Sequence, residues 1–235
     1  MNTLADNLAE NPTGKRLMER AEQGDLLVYR LLVAVDIQGY SKRDAREQLL
    51  AQQDLSDLLD EAAAGAGLNR STWGKQVGGD GELALLPGGT DLAAVVGDFP
   101  LLLAAGLRAL NRERSGRPRL RVRLAVHHGT LTAGPFGPAG DAPVVVQRLL
   151  DAAPLRRLLH DDPDRDLAYA VSASLYEDVV RSGFTRLEPR DFRAVRITAK
   201  GTDYRGHIHV GDPAAFADLG ELQALPTSAP PPAVR

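Results

Sequence analysis

The tightest constraint on this chain is the segment Tyr-Arg-Leu-Leu-Val-Ala-Val-Asp-Ile-Gln-Gly-Tyr-Ser, from Tyr29 to Ser41, where an aspartate closes an otherwise apolar strand. Leu31 to Val35 form a continuous apolar run, the pattern of a strand covered on both faces. Asp36 follows at its end, and Gly39 with Ser41 marks a turn into a helix. An unpaired carboxylate in such a place costs several kcal/mol, so Asp36 needs a partner. The usual partner is a metal ion. A helix-capping or turn aspartate is the competing reading.

A second acid lies 44 positions on, in Val77-Gly78-Gly79-Asp80-Gly81-Glu82-Leu83-Ala84-Leu85-Leu86-Pro87. The glycines permit a tight hairpin that enters an apolar strand and leaves Asp80 at its tip. An Asp-Gly hairpin alone is ordinary turn chemistry. Two aspartates on neighbouring strand ends are different. They are the minimal apparatus for holding Mg²⁺ or Mn²⁺ against a triphosphate, since hard cations take a few carboxylates plus phosphate oxygens. Removal of either acid from a strand end or hairpin tip is expected to leave the fold intact.

The rest of the chain sets bounds. With 235 residues and 43% apolar content it can bury a proper core, so one domain with appendages is expected. A net charge of −3 gives no ground for bulk nucleic-acid or anionic-membrane binding. The absence of cysteine excludes disulfides, thiol catalysis and zinc–thiolate sites. The longest charge-free apolar stretch, Phe99 to Leu107, falls short of the ~20 residues of a membrane helix, and the chain reads as soluble and cytoplasmic.

Residues 1–27 read as a polar arm, 28–211 as the catalytic-size domain and 212–235 as a proline-rich tail. The periodicities predict a strand to Asp36, a helix Asp44–Ala64 and a hairpin through Trp73 to Leu86. They continue with a helix Asp91–Arg112 kinked at Pro100, a strand Leu120–Val126 and a glycine–proline loop Gly134–Gly140. One helix Pro143–Leu159 comes next, then a strand Leu167–Val171, a helix Ala173–Arg181 and strands Phe192–Ile197 and Gly206–Val210. This order fits an α+β domain on a ferredoxin-like core, with a central, mostly antiparallel sheet and flanking helices.

Four motifs occur in one order: the strand ending in Asp36, the Gly79-Asp80-Gly81 hairpin, Arg121-Val122-Arg123-Leu124-Ala125-Val126-His127-His128-Gly129, and Gly140-Asp141-Ala142-Pro143-Val144-Val145-Val146-Gln147-Arg148-Leu149. Together they resemble the class III nucleotidyl cyclase catalytic domain. The resemblance implies two Mg²⁺ or Mn²⁺ ions per site on Asp36 and Asp80, with Ile37 in the same metal set. It implies that Arg148 stabilises charge on the reacting phosphate and that Lys200, a looser match, binds phosphate. It further implies a homodimer whose composite sites take the aspartates from one protomer and the arginine from the other.

The departures narrow the substrate. Gln76 stands where the family's purine cyclases carry a base-selecting lysine, Gly137 where its partner aspartate lies, and Val144 where a helix asparagine lies. With Gly79 in the hairpin, these positions form the expected substrate-binding set. Loss of the lysine–aspartate pair removes the reader of a purine edge. The pattern looks like the Pycsar-type pyrimidine cyclases of anti-phage signalling, which make cyclic UMP or cyclic CMP for a downstream cyclic-nucleotide effector. Loss of the asparagine favours a second reading, a weakly catalytic nucleotide-binding or interaction module. An adenylate or guanylate cyclase with atypical base contacts is a third.

Several residues carry plainer readings. Gly78-Gly79-Asp80-Gly81-Glu82 nearly spells the diguanylate cyclase hairpin, but the extra glycine and the later Arg148 helix argue against it. His207 and His209 share a strand face without a third ligand and read as a surface pair, whereas His127-His128 point to opposite faces and read as structural. Arg148 taken alone reads as a structural ion pair. Trp73, which with Lys75 flanks Gln76, reads as a core anchor.

Overall fold

The computed structural model describes residues 26–114 and 116–211. The tail and all but the last two residues of the arm lie outside the described residues. Strands β1 (Val28–Ile37), β2 (Gly74–Val77), β3 (Gly81–Leu85) and β4 (Val122–Gly134) stand in the order β2-β3-β1-β4, every neighbour antiparallel. Helix α1 (Ala45–Gly65) connects β1 to β2, and α2 (Phe99–Glu113) connects β3 to β4. This is the β-α-β-β-α-β ferredoxin-like arrangement expected from the element order. The sheet continues through β6 (Leu167–Ser172), parallel to β4, then β8 (Thr202–His209) and the edge strand β7 (Phe192–Ala199).

Strand alternation divides the core into two layers. Leu31, Val33, Val35 and Ile37 of β1 face the larger layer with Leu55, Leu59, Phe99 and Leu103 of α1 and α2. Leu32 and Ala34 face the other, with Val146 and Leu149 of α3 (Asp141–Leu150) and Leu155 and Leu159 of α4 (Ala153–Asp161). A period of two residues therefore points Asp36 onto the α3 side, one step beyond Ala34. Asp44 caps α1 by accepting from the Glu47 N–H while Glu47 accepts from the Asp44 N–H, and Gly67 turns the chain away at φ 71°.

Several element boundaries differ from expectation, two of them strands that run longer, Val122–Gly134 and Thr202–His209, and four for identifiable reasons. The single helix expected over Pro143–Leu159 is two, because Pro154 cannot continue α3 and instead opens α4. The expected loop Gly134–Gly140 folds back as strand β5 (Gly137–Ala139) against β4. The disturbance at Pro100 is a π-helical turn, Ala94–Asp98, leading into α2. Pro100 has no N–H for the Val96 carbonyl four residues back, and the Tyr169 hydroxyl donates to that carbonyl at 2.9 Å. Only Ala173–Leu175 of the helix expected to Arg181 is α-helical, and Tyr176–Val180 is again a π turn.

The 20-residue segment 94–113 holds an 18-residue window of mean hydropathy 1.3, enough to cross a membrane by length and composition, but 61% of that window is buried in this core. Trp73 is a core anchor as read, edge-on to Phe99 at 5.7 Å. His207 stacks on Tyr176 at 3.6 Å, and His209, which is buried, meets Phe192 edge-on at 5.1 Å, so the expected surface pair instead fills an aromatic cluster.

Candidate active site

Asp36 is penultimate in β1, directly opposite Arg123 of β4 in the antiparallel register. Residues so paired project from the same face, close enough to bond. Arg123 Nε donates to Asp36 Oδ1 at 2.8 Å and Nη2 donates to Oδ2 at 2.5 Å, a two-toothed charged pair. The partner that the buried carboxylate requires is therefore a neighbouring arginine. Only 8% of Asp36 is exposed, and burial pushes its carboxyl up to about 6 against the pull of Arg123, with the charges of Asp80 and Asp151 adding to the rise.

Asp80 is brought beside this pair by a hairpin that only glycine permits. A Cβ at Gly81 would lie 1.9 Å from the Val35 carbonyl oxygen, so the hairpin closes on β1 at backbone distance. The Gly78 N–H donates to the Gly81 carbonyl at 2.7 Å, and the Ile37 N–H donates to the Asp80 carbonyl at 2.8 Å. Gln52 of α1 donates from its amide to the Gly79 carbonyl and the Tyr40 hydroxyl, both at 2.6 Å, tying the tip to the helix. At the hairpin base, buried Arg70 bridges Asp60 at 2.6 Å and Glu82 at 2.8 Å.

Asp36, Asp80, Gln76 and Arg123 line one open cleft of about 420 Å³ together with Gln147 and Asp151 from the end of α3. Two carboxylates facing one cleft are the number a magnesium-type ion uses when substrate phosphates supply its other oxygens. Among the described residues no three His, Asp or Glu side chains converge, so a cation here would depend on such phosphates. The residues fit the group. Ile37 is 2% exposed with its side chain in the core, which leaves only its main chain to serve.

The remaining predicted residues fall into two places. Gln76 and Gly137 meet: Gln76 Nε2 donates to the Phe136 carbonyl at 3.2 Å, and a Cβ at Gly137 would lie 2.7 Å from Gln76 Oε1. Gly137 also holds φ 117°, which side-chain-bearing residues rarely adopt. Val144, 44% exposed, and half-buried Arg148 do not line the cleft that Gln147 lines, one position away and ~100° around α3. Arg148 makes no hydrogen bond or ion pair to any described residue, so the structural pairing that its position alone would predict does not occur among them.

Lys200 is at the far end of the sheet. It occupies the exposed β7–β8 turn at φ 50°, followed by Gly201 at φ 78°, a hairpin with two left-handed residues. Because β8 runs antiparallel to β6, and β6 parallel to β4, that turn lies beyond Ser172, past the ends to which β4 and β6 run. Asp36 faces the start of β4. Within one chain, Lys200 and Asp36 are not brought together.

Arg123, Asp151, Gln147 and Gln52 belong to the site without having been singled out from the sequence. The alternation Arg121-Val122-Arg123 marked a polar strand face, but only the register between β1 and β4 selects Arg123. Its neighbour on that face, Arg121, donates instead to the Arg165 carbonyl at 2.9 Å and the Asp162 carbonyl at 2.5 Å, beyond the end of α4.

No family model matches this sequence, and no curated protein matches it. The fold is similar to several solved structures. An adenylate/guanylate cyclase/hydrolase from Silicibacter pomeroyi superposes with TM-score 0.58 at 21% identity, covering 80% of this chain and 99% of that one. The guanylyl cyclase Cya2 gives 0.56 at 15% identity over 78% and 91%, respectively. A bacterial light-regulated adenylyl cyclase gives 0.55 at 16% identity over 83% and 97%. The chain has the α+β fold of class III cyclase catalytic domains.

Proposed function

We propose that the protein is a nucleotidyl cyclase, converting a pyrimidine nucleoside triphosphate, UTP or CTP, to its 3′,5′-cyclic monophosphate and pyrophosphate. The observation that carries this reading is the placing of Asp36 and Asp80 on one cleft, by β1 and a glycine-dependent hairpin, in a cyclase fold. Two Mg²⁺ or Mn²⁺ ions bound there would clamp the triphosphate and favour deprotonation of the 3′-hydroxyl. Asp36 and Asp80 hold that charge in place. Phosphoryl chemistry of this kind is mostly positioning and charge neutralisation, for which Arg148 and Lys200 supply the cations.

The site is composite in this reading. Lys200 is at the opposite end of the sheet from Asp36, and Arg148 does not line its own chain's cleft, so in this reading a second copy presents them. Pyrimidine choice rests on Gln76 and Gly137, which stand in contact where the resemblance places a purine-reading lysine and aspartate. At φ 117° Gly137 holds a backbone conformation that an aspartate rarely adopts. A cytoplasmic second-messenger role in anti-phage defence, read by a separate cyclic-nucleotide effector, follows from the same resemblance.

A specific observation favours a second reading. Val144 in place of the ribose-positioning asparagine, with Asp36 fully engaged by Arg123, suits a nucleotide-binding module with little turnover. One experiment separates the readings: incubate the protein with each of the four NTPs and Mn²⁺ and identify products by mass spectrometry. Cyclic UMP or cyclic CMP is expected. Cyclic AMP or cyclic GMP alone contradicts the pyrimidine assignment, and no cyclic product with any NTP contradicts catalysis.

A further inference from the structure

We infer that Arg123 is a built-in countercation for Asp36 that a divalent cation must displace, and that the end of α3 provides its second berth; this rests on the metal role of Asp36 proposed above. The geometry supplies both halves of the switch. Asp36 has two carboxylate oxygens, and Arg123 takes both, through Nε and Nη2. A cation bound directly to Asp36 shares an oxygen that Arg123 already uses and sets a second positive charge beside the guanidinium, so the two-toothed pair is weakened. The third nitrogen of the guanidinium is already turned elsewhere. Arg123 Nη1 lies 3.3 Å from the Leu150 carbonyl oxygen and 3.9 Å from Asp151 Oδ1.

That second berth suits a displaced guanidinium. Leu150 is the last residue of α3, whose terminal carbonyls carry the negative end of the helix dipole. Asp151 adds a carboxylate that is 44% exposed, so holding it alone costs little desolvation. Asp36 is the reverse case, its side chain only 12% exposed, and it cannot be left uncompensated in the cation-free protein. Asp36 and Asp151 thus share one arginine on a cleft that Asp80 also lines. Arriving positive charge on Asp36 and Asp80 repels the guanidinium toward Asp151. Arg123 is a positioning residue in this account, setting how strongly the empty site resists a cation.

The test is Mn²⁺ binding to the full-length protein in the presence of a non-cyclisable UTP analogue that supplies the phosphate oxygens, followed by electron paramagnetic resonance, with thermal unfolding as a second readout. Arg123→Gln removes the competing charge and is expected to tighten Mn²⁺ binding by about tenfold or more, the effect of ~1.4 kcal/mol. Arg123→Lys keeps the charge but loses the fork and is expected to tighten it less. If Arg123→Gln fails to fold, Arg123→Lys still decides. Asp151→Asn removes the berth and should weaken binding severalfold. Mn²⁺ should also raise the melting temperature of Arg123→Gln more than that of the wild type. Unchanged or weaker Mn²⁺ binding in both arginine variants, while Asp36→Asn abolishes it, would show a merely structural pair and overturn the inference. Mn²⁺ binding indifferent to Asp36→Asn would instead overturn the metal reading beneath it.

Discussion

Asp36 has 8% of its surface exposed and both its oxygens bonded to Arg123, whereas Arg148 lies half-buried on α3 with no hydrogen bond or ion pair to a described residue. Gln76 and Lys200 are exposed like the face on which Arg148 lies, and Val144 is 44% exposed. Asp36 of the proposed acidic half is thus part of the core, held by register, and exposed Asp80 is fixed through the backbone of a glycine hairpin. The cationic and base-reading half is displayed at the surface. A group built into the core cannot be removed without a cost in stability, while a displayed group can. The same contrast says where the missing half of each site comes from, since displayed groups are available to a second copy.

The largest expected effect tests the built-in half. Asp36→Ala should abolish turnover and also destabilise the protein by about 3–5 kcal/mol, because it strands a buried guanidinium. Chemical denaturation checks this. The result reverses the expectation from sequence that the acid could be removed without consequence for the fold. If the stability of Asp36→Ala equals that of the wild type, the contrast between the halves fails.

Gly81→Ala is next. A methyl group 1.9 Å from the Val35 carbonyl oxygen must move the hairpin away from β1, at about 1–3 kcal/mol of stability. Asp80 moves with it, so activity should fall far more than the stability loss alone would cause. Assays well below the melting temperature separate the two. Retained activity would mean that Asp80 need not be held at its present place.

A smaller effect lies outside both halves. His127 is half-buried, its buried Nδ1 lacks a partner among the described residues, and desolvation lowers its pKa from 6.5 to about 4. The neutral form is favoured by folding. Its contribution is therefore complete above pH 6.5 and lost as pH falls toward 4. Asp36 acts in the opposite sense, its contribution lost as pH rises from 3.8 through about 6. His127→Gln should accordingly flatten the acid side of the stability–pH curve, by about 1 kcal/mol. An unchanged slope would place the acid sensitivity elsewhere.

How much of this was legible in the sequence follows from the same contrast. The apolar run into Asp36, the hairpin glycines and the two-layer alternation of β1 depend on local periodicity, and they were readable. Pro154 was readable too, yet the apolar spacing across it suggested one helix where the proline makes two. What could not be read was register. Nothing local distinguishes Arg121 from Arg123, yet one bonds carbonyls beyond α4 and the other takes Asp36. Nor does spacing show that Gln76 and Gly137 touch, since 60 residues separate the amide from the Phe136 carbonyl it bonds.

The displayed half should respond differently. Gln76→Lys changes an exposed edge-strand residue and is expected to leave stability within about 0.5 kcal/mol of wild type. Its effect should appear in the product profile, with purine cyclic nucleotides gaining relative to pyrimidine ones. Mass spectrometry of competing NTPs measures that ratio, and an unchanged ratio would remove Gln76 from base selection.

Mixing two inactive proteins tests the composite site most directly. Asp36→Asn and Arg148→Ala should each be inactive alone. In a mixed dimer one site collects both lesions, while the other has intact aspartates from one chain and an intact arginine from the other. Random exchange makes about half of the dimers mixed, each with one working site of two, so roughly a quarter of wild-type activity should return. No recovery after demonstrated subunit exchange, or full activity from a strictly monomeric protein, would contradict the account.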